Sequence, residues 1–214
     1  MSKELVIIDY GLGNLFSLQI ALKSIGYESR ISDKKSIIES ADRIILPGVG
    51  AFGSGMRNLD KKSLTPVLTN FAKSGRPVLG ICLGMQLLLE ASEEQTGTDG
   101  LGLIEGEVKK LKLTNESNHL LKIPQVGWNK IEFSEDNLSW KKTILENLNE
   151  NSFFYFVHSY AAHTRNSADS LASTKYGSTV FSSVVAKNNI SGTQFHPELS
   201  GALGLQILNN FMNS

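Results

Sequence analysis

The chain is poor in the residues that staple, anchor or charge a protein. It has one cysteine, Cys82, in 214 residues, so no disulfide and no Cys-cluster metal site can form within it. Lys+Arg and Asp+Glu both count 21. That balance gives no bulk attraction to nucleic acid or to an anionic membrane. No apolar run reaches the length of a membrane span, and Met1 to Glu4 lead into a strand-like run without a signal-peptide pattern. A cytosolic location is therefore expected, with no nucleic acid and no membrane as partner. No Walker-type loop and no H-E-x-x-H occur, and Gly11-Leu12-Gly13 misses the dinucleotide fingerprint because Phe16 stands where its third glycine belongs. Neither a metal nor a cofactor is expected.

What is present centres on the lone cysteine. Pro77 to Leu79 reads as a short buried strand, and Leu83, Gln86, Leu87 and Glu90 have helical spacing. Gly80-x-Cys82-x-Gly84 between them has the form of a nucleophile elbow, a sharp strand-to-helix turn that needs small flanking residues. Such a turn places a thiol at a helix N-terminus, where backbone N–H groups lower its pKa. A free cysteine is otherwise a small buried hydrophobe, so the catalytic reading requires a base and an orienting acid elsewhere.

Both occur together in Gln194-Phe195-His196-Pro197-Glu198. On an extended backbone His196 and Glu198 point the same way, and Pro197 biases His196 to that conformation. One ring nitrogen can then meet the carboxylate while the other meets a nucleophile; alone, the same residues make an ordinary turn. The other histidines fit the base less well. His119 and His163 fall in expected loops, and His158 ends the run Phe153-Phe154-Tyr155-Phe156-Val157 with no acid nearby. It is expected to line the site or to sit satisfied in the core.

Pro47-Gly48-Val49-Gly50 closes another expected strand. In an open parallel sheet, ligand sites lie beyond the carboxyl ends of the strands. Two glycines there let a backbone N–H turn toward a substrate oxygen, and with the N–H of Leu83 they could form an oxyanion hole.

Strand and helix signals alternate through the first half. Strands are expected at Leu5 to Ile8, Tyr27 to Ile31 and Ile44 to Leu46. Helices are expected at Leu15 to Ile25, Lys34 to Ser40 and Met56 to Lys73, the last interrupted at Pro66. Strands then dominate: Val108 to Leu113, Val126 to Phe133, Phe153 to His158, Leu171 to Tyr176 and Val180 to Ala186. Thr114 to Lys122 reads as a loop, and Leu203 to Phe211 as a closing helix. The expectation is one α/β domain over residues 1–214, with a mixed, mainly parallel sheet covered on both faces.

Gly80-Ile81-Cys82-Leu83-Gly84-Met85-Gln86, followed by Gln194-Phe195-His196-Pro197-Glu198, resembles the class I (triad) glutamine amidotransferases. Asp9-Tyr10-Gly11-Leu12-Gly13-Asn14, Pro47 to Phe52, Val126-Gly127-Trp128-Asn129 and Tyr155 to Tyr160 resemble the branch formed by the glutaminase subunits of imidazole glycerol phosphate synthases. The resemblance implies a flavodoxin-like three-layer sandwich that hydrolyses L-glutamine and passes ammonia to a (β/α)8-barrel cyclase subunit in a heterodimer of histidine biosynthesis. It implies Cys82 as nucleophile, His196 as base and Glu198 as its orienter, with oxyanion N–H groups from Val49 and Leu83. Gly50, Gln86, His158, Ser159 and Tyr160 would hold glutamine, and Trp128 would meet the cyclase. Two stretches depart from the pattern: Gln125-Val126 stands where His-Met is common, and Leu199 where Lys is usual. A paralogous branch supplies ammonia for amidating bacterial surface sugars, and cysteine peptidases share the fold. Those remain alternatives, as does a binding module without catalysis, which would lack a triad member.

Overall fold

The structure is a computed structural model that describes residues 4–94, 97–112, 114, 120–137 and 139–214. In its first half, strands β1 (Leu5–Ile8), β2 (Arg30–Ser32), β3 (Arg43–Leu46) and β4 (Val78–Ile81) alternate with helices α1 (Leu15–Ser24), α2 (Lys35–Ser40), α3 (Phe52–Lys61), α4 (Thr65–Lys73) and α5 (Leu83–Leu87). Asn14 starts α1 by accepting from the Ser17 N–H at 3.2 Å, which satisfies one of the first-turn donors. Pro66 lies in the first turn of α4, where no N–H is needed. It therefore begins a second helix rather than kinking one long one.

The second half adds β5 (Ala91–Ser92), β6 (Thr98–Asp99), β7 (Gly106–Lys110), β8 (Gln125–Lys130), β9 (Glu132–Phe133), β10 (Phe153–His158), β11 (Tyr160–Thr164), β12 (Ser170–Tyr176), β13 (Thr179–Lys187), β14 (Ile190–Thr193) and the closing helix α6 (Gly201–Asn213). Among the described residues the main sheet runs β2-β1-β3-β4-β14-β13-β11-β7-β5-β6, with β12 and β9 branching from β13. The five strands from β2 to β14 are parallel to one another, and β13, β11 and β7 continue the sheet antiparallel. Strands β8 and β10 form a separate antiparallel pair.

Alternation along β1 sets the layers. Val6 and Ile8 pack with Ile38 of α2, Leu59 of α3, Phe71 of α4 and Met85 of α5. Leu5 and Ile7 point the other way, into a cluster with Leu22 of α1, Phe211 of α6 and Phe156 of β10. Side chains two apart share a face of a strand, so a fully apolar strand must be covered on both sides. The result is the three-layer, flavodoxin-like sandwich around a mixed sheet.

Several expectations need correction. Ile190–Thr193 is a strand between β4 and β13, which the residues did not suggest. Tyr160–Thr164 is a strand as well, so His163 lies in the sheet, paired with Glu107, rather than in a loop. The stretch Val126 to Phe133 is two strands interrupted at Ile131. The helix after Cys82 ends at Leu87, short of Glu90. The expected strand Tyr27 to Ile31 begins only at Arg30. His119 and most of the expected loop Thr114 to Lys122 lie outside the described residues.

Candidate active site

Parallel strands deliver three loops to one edge of the sheet. Cys82 follows β4, Pro47 to Gly50 follow β3, and Gln194 to Glu198 follow β14. The backbone of Cys82 is tied to β14 by its N–H, which donates to the Thr193 carbonyl at 2.7 Å. The nucleophile and histidine loops therefore leave hydrogen-bonded neighbours side by side.

Cys82 has φ 53° and ψ −109°, a conformation that L-residues avoid and that costs on the order of 1–3 kcal/mol. The elbow expected from the glycine spacing is this turn. Its glycines are required by contact: a Cβ at Gly84 would lie 1.7 Å from the Leu46 carbonyl oxygen, and one at Gly80 would lie 2.7 Å from the Met85 backbone. The thiol is 5% exposed. Its sulfur lies 3.8 Å from the Gln194 amide nitrogen and 3.9 Å from the Val157 carbonyl.

His196 Nδ1–H donates to Glu198 Oε1 at 2.8 Å, and both side chains are buried. The expected pairing is present, but its geometry differs from the sequence reading. His196 is extended, as a residue before proline should be, whereas Pro197–Leu199 form a 3-10 turn that brings the carboxylate back. Nε2 of His196 makes no hydrogen bond among the described residues, yet the ring lies near enough to the Cys82 sulfur to be influenced by it. Burial works against the charged ring, but the Cys82 sulfur and the Glu198 carboxylate outweigh it and raise its pKa from 6.5 to about 10. These two neighbours thus hold the ring in favour of its protonated form beside the sulfur.

A cleft of about 310 Å³ opens above the sulfur. Val49, Gly50, Cys82, Leu83, Gln86, His158, Ser159 and Tyr160 all line it. His196 and Glu198 stand behind Cys82 instead. Two larger depressions, of about 560 and 730 Å³, lie at the amino ends of the parallel strands, away from this chemistry.

Gln86 donates its amide hydrogens to the Tyr160 carbonyl at 2.8 Å and to Gln194 Oε1 at 3.0 Å. Only its Oε1 remains for a ligand. His158 Nδ1 lies 2.9 Å from the Tyr160 carbonyl, and a carbonyl can only accept, so Nδ1 carries the proton. Burial lowers the His158 pKa from 6.5 to about 4, with the Tyr160 carbonyl opposing and His196 adding to the drop. His158 is thus a neutral wall of the cleft, its Nδ1 held by a carbonyl rather than by a carboxylate.

The expected oxyanion hole is not assembled in this conformation. The Leu83 N–H donates to the Gly48 carbonyl at 3.3 Å. A trans peptide points its C=O and N–H in opposite directions, so the Val49 N–H is turned away from Leu83. One peptide rotation separates this arrangement from the expected one.

The structure adds two residues that sequence reasoning did not single out. Glu94 lines the cleft and accepts from the Phe52 N–H at 2.7 Å. Gln194 is fully buried between Cys82 and Gln86. Gln194 adjoins the histidine motif, which is the one signal that could have pointed to it; Glu94 reaches the cleft only through the tertiary fold. Trp128 lies on β8, is 56% exposed, and stands edge-on to Tyr155. No group of three or more metal-ligating side chains occurs among the described residues, and none of their helices is long and apolar enough to cross a membrane.

Comparison with known proteins gives the same direction. The family described as Glutamine amidotransferase class-I matches residues 6–214. The imidazole glycerol phosphate synthase subunit HisH of Methanosarcina barkeri is 46% identical over 212 residues, covering 99% of this chain and 98% of its own. The HisH subunit of Bacillus cytotoxicus is 46% identical over 208 residues, covering 97% and 93%. A crystal structure described as a glutamine amidotransferase superposes with a TM-score of 0.72 at 18% identity, over 97% of each chain, which is likeness of fold. The chain belongs to the class I glutamine amidotransferases, in the branch of the imidazole glycerol phosphate synthase HisH subunits.

Proposed function

We propose that this chain, as a single domain, hydrolyses L-glutamine to glutamate and ammonia with Cys82, His196 and Glu198. It hands the ammonia to a (β/α)8-barrel cyclase subunit that makes imidazole glycerol phosphate and aminoimidazole carboxamide ribotide for histidine biosynthesis in the cytoplasm. The observation that carries the chemistry is the buried His196–Glu198 pair at 2.8 Å behind a strained cysteine. In the first step the Cys82 sulfur bonds to the carboxamide carbon. The C–N bond then breaks as the imidazolium of His196 protonates the departing nitrogen, releasing ammonia and leaving a thioester. In the second step His196 takes a proton from water, the water oxygen bonds to the same carbon, and the C–S bond breaks to give glutamate. Glu198 holds the ring and stabilises its charge throughout.

The cleft suits a small amino acid. The Glu94 carboxylate can meet an α-ammonium, and Gln86 Oε1 an amide N–H. Negative charge on the tetrahedral oxygen calls for the N–H groups of Leu83 and Val49, hence for rotation of the Gly48–Val49 peptide. Trp128 and the neighbouring exposed Val126 form an apolar surface for the cyclase subunit. The amidation of a surface sugar differs only in the partner's acceptor, and the identity of the HisH relatives favours the histidine reading.

The test is glutamate release by the purified chain, alone and with a barrel cyclase subunit. It is combined with labelling by a glutamine-like electrophile. One label on Cys82, blocked by glutamine, is expected. Absence of glutamate release in both settings would refute the activity.

A further inference from the structure

Rotation of the Gly48–Val49 peptide leaves an unanswered demand. Gly48 is buried, and its carbonyl now accepts from the Leu83 N–H. Turning the Val49 N–H into the cleft takes that carbonyl away from its partner. A buried carbonyl without a donor disfavours the turned state by about 5- to 150-fold. Something has to receive it.

The residue placed to do so is Tyr10, just beyond the carboxyl end of β1. Its hydroxyl is buried and makes no hydrogen bond among the described residues. It touches Gly48: a Cβ there would lie 2.1 Å from the phenol oxygen, so any larger residue would have to push the ring aside. The loop that follows Tyr10 is held against the same peptide. Gly11 N–H donates to the Asp9 side chain at 3.0 Å, and Gly13 approaches the Gly48 backbone so closely that an added Cβ would meet it at 3.4 Å. Burial and the nearby Cys82 both push the phenol pKa upward. The oxygen therefore keeps its proton at any working pH and remains a donor.

An unpaired phenol in a packed interior is a liability in a single-state protein. Beside a peptide with two settings, it is a donor held ready for the second. We infer that Tyr10 is a positioning residue for glutamine hydrolysis, whose hydroxyl receives the Gly48 carbonyl when the Val49 N–H turns into the oxyanion site. It touches neither substrate nor sulfur; it acts through the peptide. The inference rests on the glutaminase reading above.

Tyr10→Phe removes the hydroxyl and keeps the ring that packs on Gly48. The measurement is glutamate release, resolved into kcat and KM, for the chain alone and with a barrel cyclase subunit, together with Tm. With the latch lost, the turned carbonyl has no donor, and kcat should fall by about 5- to 150-fold. KM should stay unchanged, because the bond forms only with the turned peptide. The Tm should hold or rise, since the hydroxyl is unpaired in the resting state. A kcat equal to wild type overturns the inference. So does a loss accompanied by a matching fall in Tm, which would make Tyr10 a packing residue. A wild-type chain that never releases glutamate fails at the earlier step and takes the inference with it.

Discussion

Replacing Val49 by glycine should raise the basal glutaminase rate of the chain on its own. In the resting arrangement Val49 keeps its φ outside the left-handed region. Rotating the Gly48–Val49 peptide reverses the sense of the dihedrals on either side of it, ψ of Gly48 and φ of Val49. It thus drives Val49 toward positive φ. A β-branched residue resists that region, and the strain is on the order of 1–3 kcal/mol. Glycine adopts it freely. The Val49 side chain is 42% exposed, so its removal sacrifices little packing. If the rotated state is disfavoured mainly by this strain, Val49→Gly populates it more by about 5- to 160-fold, at tenfold per 1.36 kcal/mol. The basal kcat should rise by a comparable factor, with KM close to wild type and a smaller stimulation on adding the cyclase subunit. Steady-state glutamate release measures all three. A Val49→Gly chain with wild-type Tm and no gain in basal kcat would refute the reasoning, because relief of the strain would then not be what opens the site.

Three other outcomes follow from the site. Cys82→Ser should abolish glutamate release while leaving thermal unfolding near wild type, since a hydroxyl lacks thiolate reactivity; substantial residual turnover would remove Cys82 from its role. Glu198→Gln keeps a hydrogen-bonding partner but removes a charge that raises the His196 pKa, so the alkaline limb of kcat/KM should move to lower pH and kcat should fall less than in His196→Ala. An unmoved limb would mean that the carboxylate does not stabilise the imidazolium. His158 is buried neutral, with a folded pKa of about 4 against 6.5; the unfolded chain takes up the proton first, so this group's contribution is intact above pH 6.5 and is lost as pH falls toward 4. At 1.36 kcal/mol per pKa unit the loss is on the order of 3 kcal/mol, and His158→Gln should flatten that part of the urea-midpoint profile. A wild-type slope in the variant would contradict the assignment.

The amino-terminal half of the fold was legible where its strands are nearly all apolar, as in β1, β3 and β4, and where a helix has an ordinary start signal, as Asn14 gives α1. Strand β2, with Arg30 and Ser32, is not of that kind, and its start was misplaced. Strand β14 was not. Of its four residues only Ile190 is large and apolar, and its place is dictated by neighbours: a Cβ at Gly192 would meet Met85 Cγ at 2.5 Å. Thr193 and Gly192 look like turn residues until β4 and β13 enclose them. His163 was misplaced for a related reason, since a half-polar strand takes its identity from the partners beside it. In the site, Cys82, His196 and Glu198 could be picked out because their neighbours, two glycines and a proline, constrain the backbone. Glu94 could not, because nothing local distinguishes it from Glu93. The setting of the Gly48–Val49 peptide was beyond reach on principle: one sequence encodes both rotations, and only the Leu83-to-Gly48 hydrogen bond tells which is occupied.

The bond from the Cys82 N–H to the Thr193 carbonyl has a consequence for how such an enzyme can be governed. It ties the backbone that carries the Cys82 sulfur to the strand that leads into the His196 loop. A partner that drew these two strand ends apart would have to break that bond and the β4–β14 pairing behind it. Near the sulfur, a glycine-flanked peptide lies at the end of β3. Reactivity is thus seated on bonded strands and permission on a loop beside them. Engineers seeking a leaky or a tighter version should leave the strands alone and work on that single hinge.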